Sequence, residues 1–215
     1  MVIKSHKGGI VVSEQDILVR YDGPAFTEHR MDVEDLAPAL LALAELCKDV
    51  NRKHNGDRAA VNLLIDVDVE QQCFQFKFQI VQKIFDAAKS LIEDQEIVTA
   101  KEILEWVGLI KTPVFGLLGL LKVLKGRQPD STQLIVRDSQ NVTQLNVEGD
   151  VYIAHPQAVE MLKEQRAIKN SAAIIAPVLR EGCDFVEFQH GSETAESISS
   201  EDAKAISEMK IMEIE

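Results

Sequence analysis

The chain predicts an α+β fold, and three stretches carry that expectation. From Val61 to Ile80 apolar and polar residues alternate at period two, the pattern of strands with one buried and one wet face. From Val33 to Val50 apolar residues recur at spacings of three and four, the pattern of a single helical seam. Beyond Gln128 the runs TQLIVRD, NVTQLNV and DVYIAH are short strand candidates separated by turn residues, as in a small β-meander. A helix seam lying on a one-sided hairpin is a stable layer arrangement for such a fold.

The elements follow in order. Residues 1–13 are expected as an N-terminal tail; their apolar run is too short for the core of a secretory signal. DILVRY reads as a strand, broken by Asp22-Gly23-Pro24. Asp32 is a candidate N-cap, and Met31 and Leu36 stand at the positions of a hydrophobic staple. Val33, Leu36, Leu40, Leu43, Cys47 and Val50 then form the seam of a long helix. Pro38 must either kink it or mark a start near Ala37, and Asn55-Gly56 ends it.

The hairpin comes next, with Val61, Leu63, Ile65, Val67 and Val69 on one strand and Phe74, Phe76, Phe78 and Ile80 on the other as candidate core. Val81, Ile84, Phe85, Ala88, Leu91 and Ile92 switch to helical spacing. Thr99 and Glu102 make a capping box for a further helix. The apolar group Ile103 to Leu124 follows, its second segment expected as a helix with Thr112 as cap and Pro113 at the first position.

Gln128-Pro129-Asp130-Ser131 is the best internal boundary. It separates an α+β domain at 14–127 from a smaller unit at 131–190. That unit holds the meander, a helical stretch from His155-Pro156 with a bend at Pro177, the Gly182 terminator and the strand DFVEF. Residues 191–215 are acidic and serine-rich, with weak helical tendency from Ser200; they read as a tail or the start of a further segment cut short.

A net charge of −12 argues against nucleic acid as a partner, because phosphates require a concentrated cationic face. Cys47, Cys73 and Cys183 are odd in number and far apart, which suggests reduced thiols in the cytoplasm and neither a disulfide framework nor a zinc site. The sequon Asn141-Val142-Thr143 carries no weight in a chain that is not secreted.

The stretches Tyr21-Asp22-Gly23-Pro24-Ala25, Met31 to Leu43 (MDVEDLAPALLAL) and Asn55-Gly56-Asp57 resemble a bacterial family of hypothetical proteins with no known activity. The likeness continues through Asn141-Val142-Thr143, Gly149-Asp150 and Leu179-Arg180-Glu181-Gly182, so it spans most of the chain. It implies a bacterial origin, an intracellular setting and a further β-rich segment after the C-terminus. It transfers no functional residue.

Asp66, Asp68 and Glu70 share one strand face, where hard oxygen ligands suit Mg²⁺ or Ca²⁺; the same positions are also the wet side of a half-buried sheet. No downstream residues complete a hydrolase site. His6, His29, His54, His155 and His190 fall in loops or at element ends, with no pair at helical spacing. The glycines of GLLGLLKVLKG lie within an apolar helical run and not on a strand-to-helix turn, so they do not form a phosphate loop. No cofactor motif is present.

The Ile103 to Leu124 group is too apolar to be a solvated helix and too short for a ~20-residue membrane span. It is covered by its own domain, by a second copy or partner, or by lying on a membrane surface. Val114, Phe115, Leu117, Leu118 and Leu121 are the candidate interaction surface, and the polar strands beyond it have edges suited to pairing with another chain. The expected function is non-enzymatic assembly in the cytoplasm, as a homo-oligomer or with a protein partner. A metal-assisted hydrolase using Asp66, Asp68 and Glu70 and a peripheral membrane protein are the alternatives.

Overall fold

The computed structural model describes residues 2–6, 10–26, 30–66, 74–85 and 97–209. The first half holds β1 (Val2–His6), β2 (Ile10–Asp22), α1 (Val33–Asn55), β3 (Ala59–Asp66), β4 (Phe74–Phe85), α2 (Ala100–Val107) and α3 (Leu117–Leu124). The second holds β5 (Ser131–Arg137), β6 (Gln140–Val147), β7 (Asp150–Ala154), α4 (Pro156–Leu162), α5 (Gln165–Ile175), β8 (Phe185–His190), β9 (Glu193–Ser199) and α6 (Ser200–Ser207). The fold is α+β, with an antiparallel six-stranded sheet in the order β3-β4-β2-β8-β9 and a separate three-stranded meander β5-β6-β7. Strand β1 lies beside the first part of β2, on the edge that β8 occupies further along.

Period-two burial builds the large sheet. Ile17, Val19 and Tyr21 on β2 and Phe76, Phe78 and Ile80 on β4 face the helices and are buried, as alternation requires. Helix α1 lies on this face. Its buried side is Ala39, Ala42, Leu43, Leu46, Cys47 and Val50, so the expected seam is right in its second half; Val33 is 70% exposed. Pro38 stands inside a continuous α1 that begins at Val33, capped by the Asp32 carboxylate accepting from the Glu34 N–H at 2.9 Å. Gly56 ends the helix with φ 55°.

Strand β4 runs on through Val81 and Ile84 to Phe85, where a helix was expected; Ala88, Leu91 and Ile92 lie outside the described residues. The cause is Gln82, a polar residue at an inward position that disguises the alternation. It is fully buried because its amide donates to Asn51 Oδ1 at 3.2 Å and the Val98 carbonyl at 2.8 Å while accepting from the Ala100 N–H at 2.9 Å. Asn55 donates to the same Asn51 oxygen and Val98 carbonyl, so the approach to α2 is tied to both α1 and β4. The Thr99–Glu102 capping box then opens α2.

The two halves share one hydrophobic cluster running from Ile17 through Leu121 and Leu145 to Ile206. The turn after β2 is clasped to the stretch before β8. Ala25 N–H donates to the Gly182 carbonyl and Asp184 N–H to the Asp22 carbonyl, both at 2.8 Å, and a Cβ on Gly23 would lie 2.3 Å from the Gly182 oxygen. The Tyr21 hydroxyl reaches the Ile174 carbonyl at 3.0 Å.

Two expected tails are structured. Residues 10–13 belong to β2, and beyond residue 190 the chain forms β9 and then α6, which opens with a Ser199–Asp202 capping box. No helix among the described residues is long and apolar enough to cross a membrane.

Candidate interaction surface

The apolar group resolves into core. Leu117, Leu118, Leu120, Leu121 and Leu124 are all 0% exposed, covered by α2, α4, α6 and β9. Three of the five candidate surface residues, Leu117, Leu118 and Leu121, are thus sealed by their own chain. The remaining helix flank is bound inward as well, by Lys122 to Glu196 at 2.9 Å and Lys125 to Asp202 at 3.1 Å.

Helix α3 starts at Leu117 with Gly116 as its N-cap, not at Thr112-Pro113. The Thr112 hydroxyl instead donates to the Val114 carbonyl at 2.6 Å and holds a tight turn. Phe115 then forms a parallel bridge to the end of β7; its N–H donates to the Ile153 carbonyl at 2.8 Å, and its carbonyl accepts from His155 at 3.0 Å. Its half-buried ring meets Tyr152 edge-on at 6.0 Å.

Val114, half-buried, borders a cleft of about 370 Å³ between this turn and the β5–β6 turn, with Lys111, Arg137 and His155 around it. His155 Nε2 stands 3.2 Å from the Thr112 oxygen. The hydroxyl proton already points to Val114, so the imidazole is the donor in this pair. Thr112 is therefore not poised as a nucleophile with His155 as its base. Burial lowers the pKa of His155, against the opposing charge of Glu105.

Of the three candidate metal residues, only Asp66 is among the described residues. Asp66 is exposed and lies opposite Lys77, while Asp68 and Glu70 lie outside the described residues. Among the described residues no group of three or more His, Cys, Asp or Glu side chains converges to hold a metal ion. His54 packs edge-on to Trp106 at 4.9 Å, and His190 contacts the Gln15 side-chain oxygen at 3.2 Å. His6 is in β1, and His29 and Cys73 lie outside the described residues. Cys47 and Cys183 are buried and free, and burial pushes their thiols up to about 12 and about 11, so both stay protonated and unreactive.

Among the described residues, large apolar side chains stay exposed on β5, an edge of the meander, and also at Val33, Leu41, Leu64, Ile65, Val151 and Leu179. Leu134 is 63% and Val136 is 73% exposed. In register they face Thr143 and Asn141 on β6, on the sheet face that carries the buried Leu145 and Val147 one strand inward. On this face Thr143 and the exposed Asn141 stand between Leu134 and Val136 and the buried Leu145 and Val147. Ile135, half-buried, lies on the opposite face. Of the seven β5 residues, STQLIVR, only Arg137 is charged. The sequence signal for this surface was alternation of Leu134 and Val136 within an otherwise polar strand, a weaker signal than the leucines of α3. The chain matches no family model, no curated protein and no solved structure.

Proposed function

We infer that this chain is a non-enzymatic cytoplasmic assembly protein that accepts an extended strand on the β5 edge of its meander. The observation carrying this reading is the pair of exposed apolar side chains, Leu134 and Val136, on a regular edge strand. Natural edges are blunted by lysine, proline, bulges or a covering loop. The β5 sequence STQLIVR holds no lysine and no proline, and its register to β6 is regular across all seven residues. Strand addition matches both needs of such an edge: main-chain hydrogen bonds satisfy its outer backbone, and alternate side chains set specificity.

The helix-based and membrane-surface readings are the weaker ones, because the leucines of α3 are fully buried and only Val114 and Phe115 of the candidate surface stay half-buried. Free, buried thiols agree with a reducing compartment.

A photo-reactive residue at position 134, in cells making the protein, tests the reading. It should give a defined cross-linked product that disappears when Val136→Lys is added. The same residue at Leu41, 65% exposed on α1, should give none. No defined product from position 134, or an equal yield from position 41, would overturn it.

A further inference from the structure

We propose that the cleft between the 111–114 turn and the β5–β6 turn binds a small organic molecule that carries one carboxylate on an apolar body. The cleft lies on the face of the meander away from Leu134 and Val136, so the proposal goes beyond the edge-assembly reading and does not depend on it.

The register of the meander builds one wall. Arg137 pairs with Gln140 and Ile135 with Val142, which sets Arg137, Gln140 and Val142 on one face at the closed end of the hairpin. The turn between them holds Asp138 and Ser139 at φ 50° and 64°, the two-residue geometry that suits a tight hairpin. The 111–114 turn is the other wall, held by the Thr112 hydroxyl donating to the Val114 carbonyl at 2.6 Å. Val142 is buried and Val114 half-buried, and with Pro113 they give the cleft its apolar lining. Its volume of about 370 Å³ falls in the range of small-molecule sites, which combine such a lining with a few placed polar groups.

Those polar groups are unevenly committed. Glu105 is bound to Lys101 at 3.1 Å, and the His155 imidazole donates to Thr112. Burial lowers the pKa of His155, so the ring adds no charge at neutral pH. Asp138 has its side chain 93% exposed and stands 3.8 Å from the Arg137 Nε, beyond hydrogen-bond distance. Among the described residues, Lys111 has no ion pair and the Gln140 side-chain amide no hydrogen bond. The donors of Lys111, Arg137 and Gln140 therefore border the cleft with capacity to spare, while its acceptors are engaged or turned to solvent.

Charge narrows the ligand. Lys111 and Arg137 balance Glu105 and Asp138, and the Lys101 partner of Glu105 leaves one positive charge in excess. A single carboxylate completes that balance, and Arg137 and Lys111 are the groups suited to hold it. The net −12 of the chain opposes anions at long range, but charges beyond ~8 Å are largely screened at physiological ionic strength, so the local groups decide.

Titration of the full chain with benzoate, followed in amide NMR spectra, tests the proposal. Benzoate should shift the signals of residues 111–114 and 137–142 in a saturable way; benzamide, of the same shape and without charge, should not. Lys111→Met and Arg137→Met each remove an exposed cation, so the melting temperature should hold while benzoate binding weakens roughly tenfold. Lys111→Arg should retain binding. No saturable shift in these residues, equal binding of benzamide, or benzoate binding unchanged in both Met variants would overturn the proposal. Cross-linking from position 134, on the opposite face, reads the edge assembly separately.

Discussion

A Cβ built on Gly116 would lie 2.5 Å from both the Cα and the amide nitrogen of Gly108. The end of α2 and the start of α3 therefore touch backbone to backbone, and this close approach lets the leucines of α3 turn into the shared core. Gly108 also ends α2 in the left-handed region, at φ 93°.

Gly116→Ala should destabilise the fold by ~1–3 kcal/mol or more, because the neighbour that must move is main chain. Gly119→Ala should cost less, since its nearest neighbours would be side-chain atoms, Glu196 Oε2 and Phe115 Cδ1 at 2.9 Å, and not main chain. Urea melts of the two variants compare them, and equal midpoints would contradict the packing described.

Leucines of α3 and β5 should respond in opposite ways to truncation. Leu121→Ala removes a fully buried side chain and should cost ~2–5 kcal/mol. Leu134→Ala removes a largely exposed one and should stay within about 0.5 kcal/mol, measured in the Val136→Lys background so that assembly through β5 does not contribute.

Gln82→Leu keeps the volume of the side chain and deletes its bonds. The buried Ala100 N–H loses its acceptor, and the expected cost is ~1–3 kcal/mol. Thermal melting reads the loss. Hydrogen exchange should locate it at the start of α2, and unchanged protection there would contradict a role for Gln82 in fixing that segment.

Stability should fall with mild acid. Burial holds His155 below its ordinary value of 6.5, and burial followed by the Lys53 charge does the same for His54. The unfolded chain then binds protons more readily than the folded one. The histidine contribution is whole above about pH 6.5 and is lost as the pH falls toward the folded values. Melting temperatures from about pH 7.5 down to about pH 5.5 should fall, with a shallower slope in His155→Gln. Identical slopes in the two proteins would remove His155 from this account.

Much of the fold was legible where local chemistry and tertiary burial agree. The Thr99–Glu102 box, the Asn55-Gly56 stop and the Phe76, Phe78 and Ile80 alternation all stand as read. The misreadings share a cause: a residue whose role is set by a distant partner. Gln82 looks like the end of a strand until Asn51 and Val98 are placed beside it. Thr112-Pro113 looks like a helix start, but Phe115 is drawn into the end of β7 and the helix begins only at Gly116. Strand β9 reads as a tail because only Ile198 along it is buried. The Ser199–Asp202 spacing was the local signal that could have revealed α6. Leu117, Leu118 and Leu121, expected on a surface, are core instead, covered by elements distant in sequence.

Photo-cross-linking from position 134 in cells making the protein, with and without Val136→Lys, tests the central claim most directly. A defined product that Val136→Lys abolishes is expected. No defined product, or one that Val136→Lys leaves unchanged, would contradict assembly of this protein through its β5 edge.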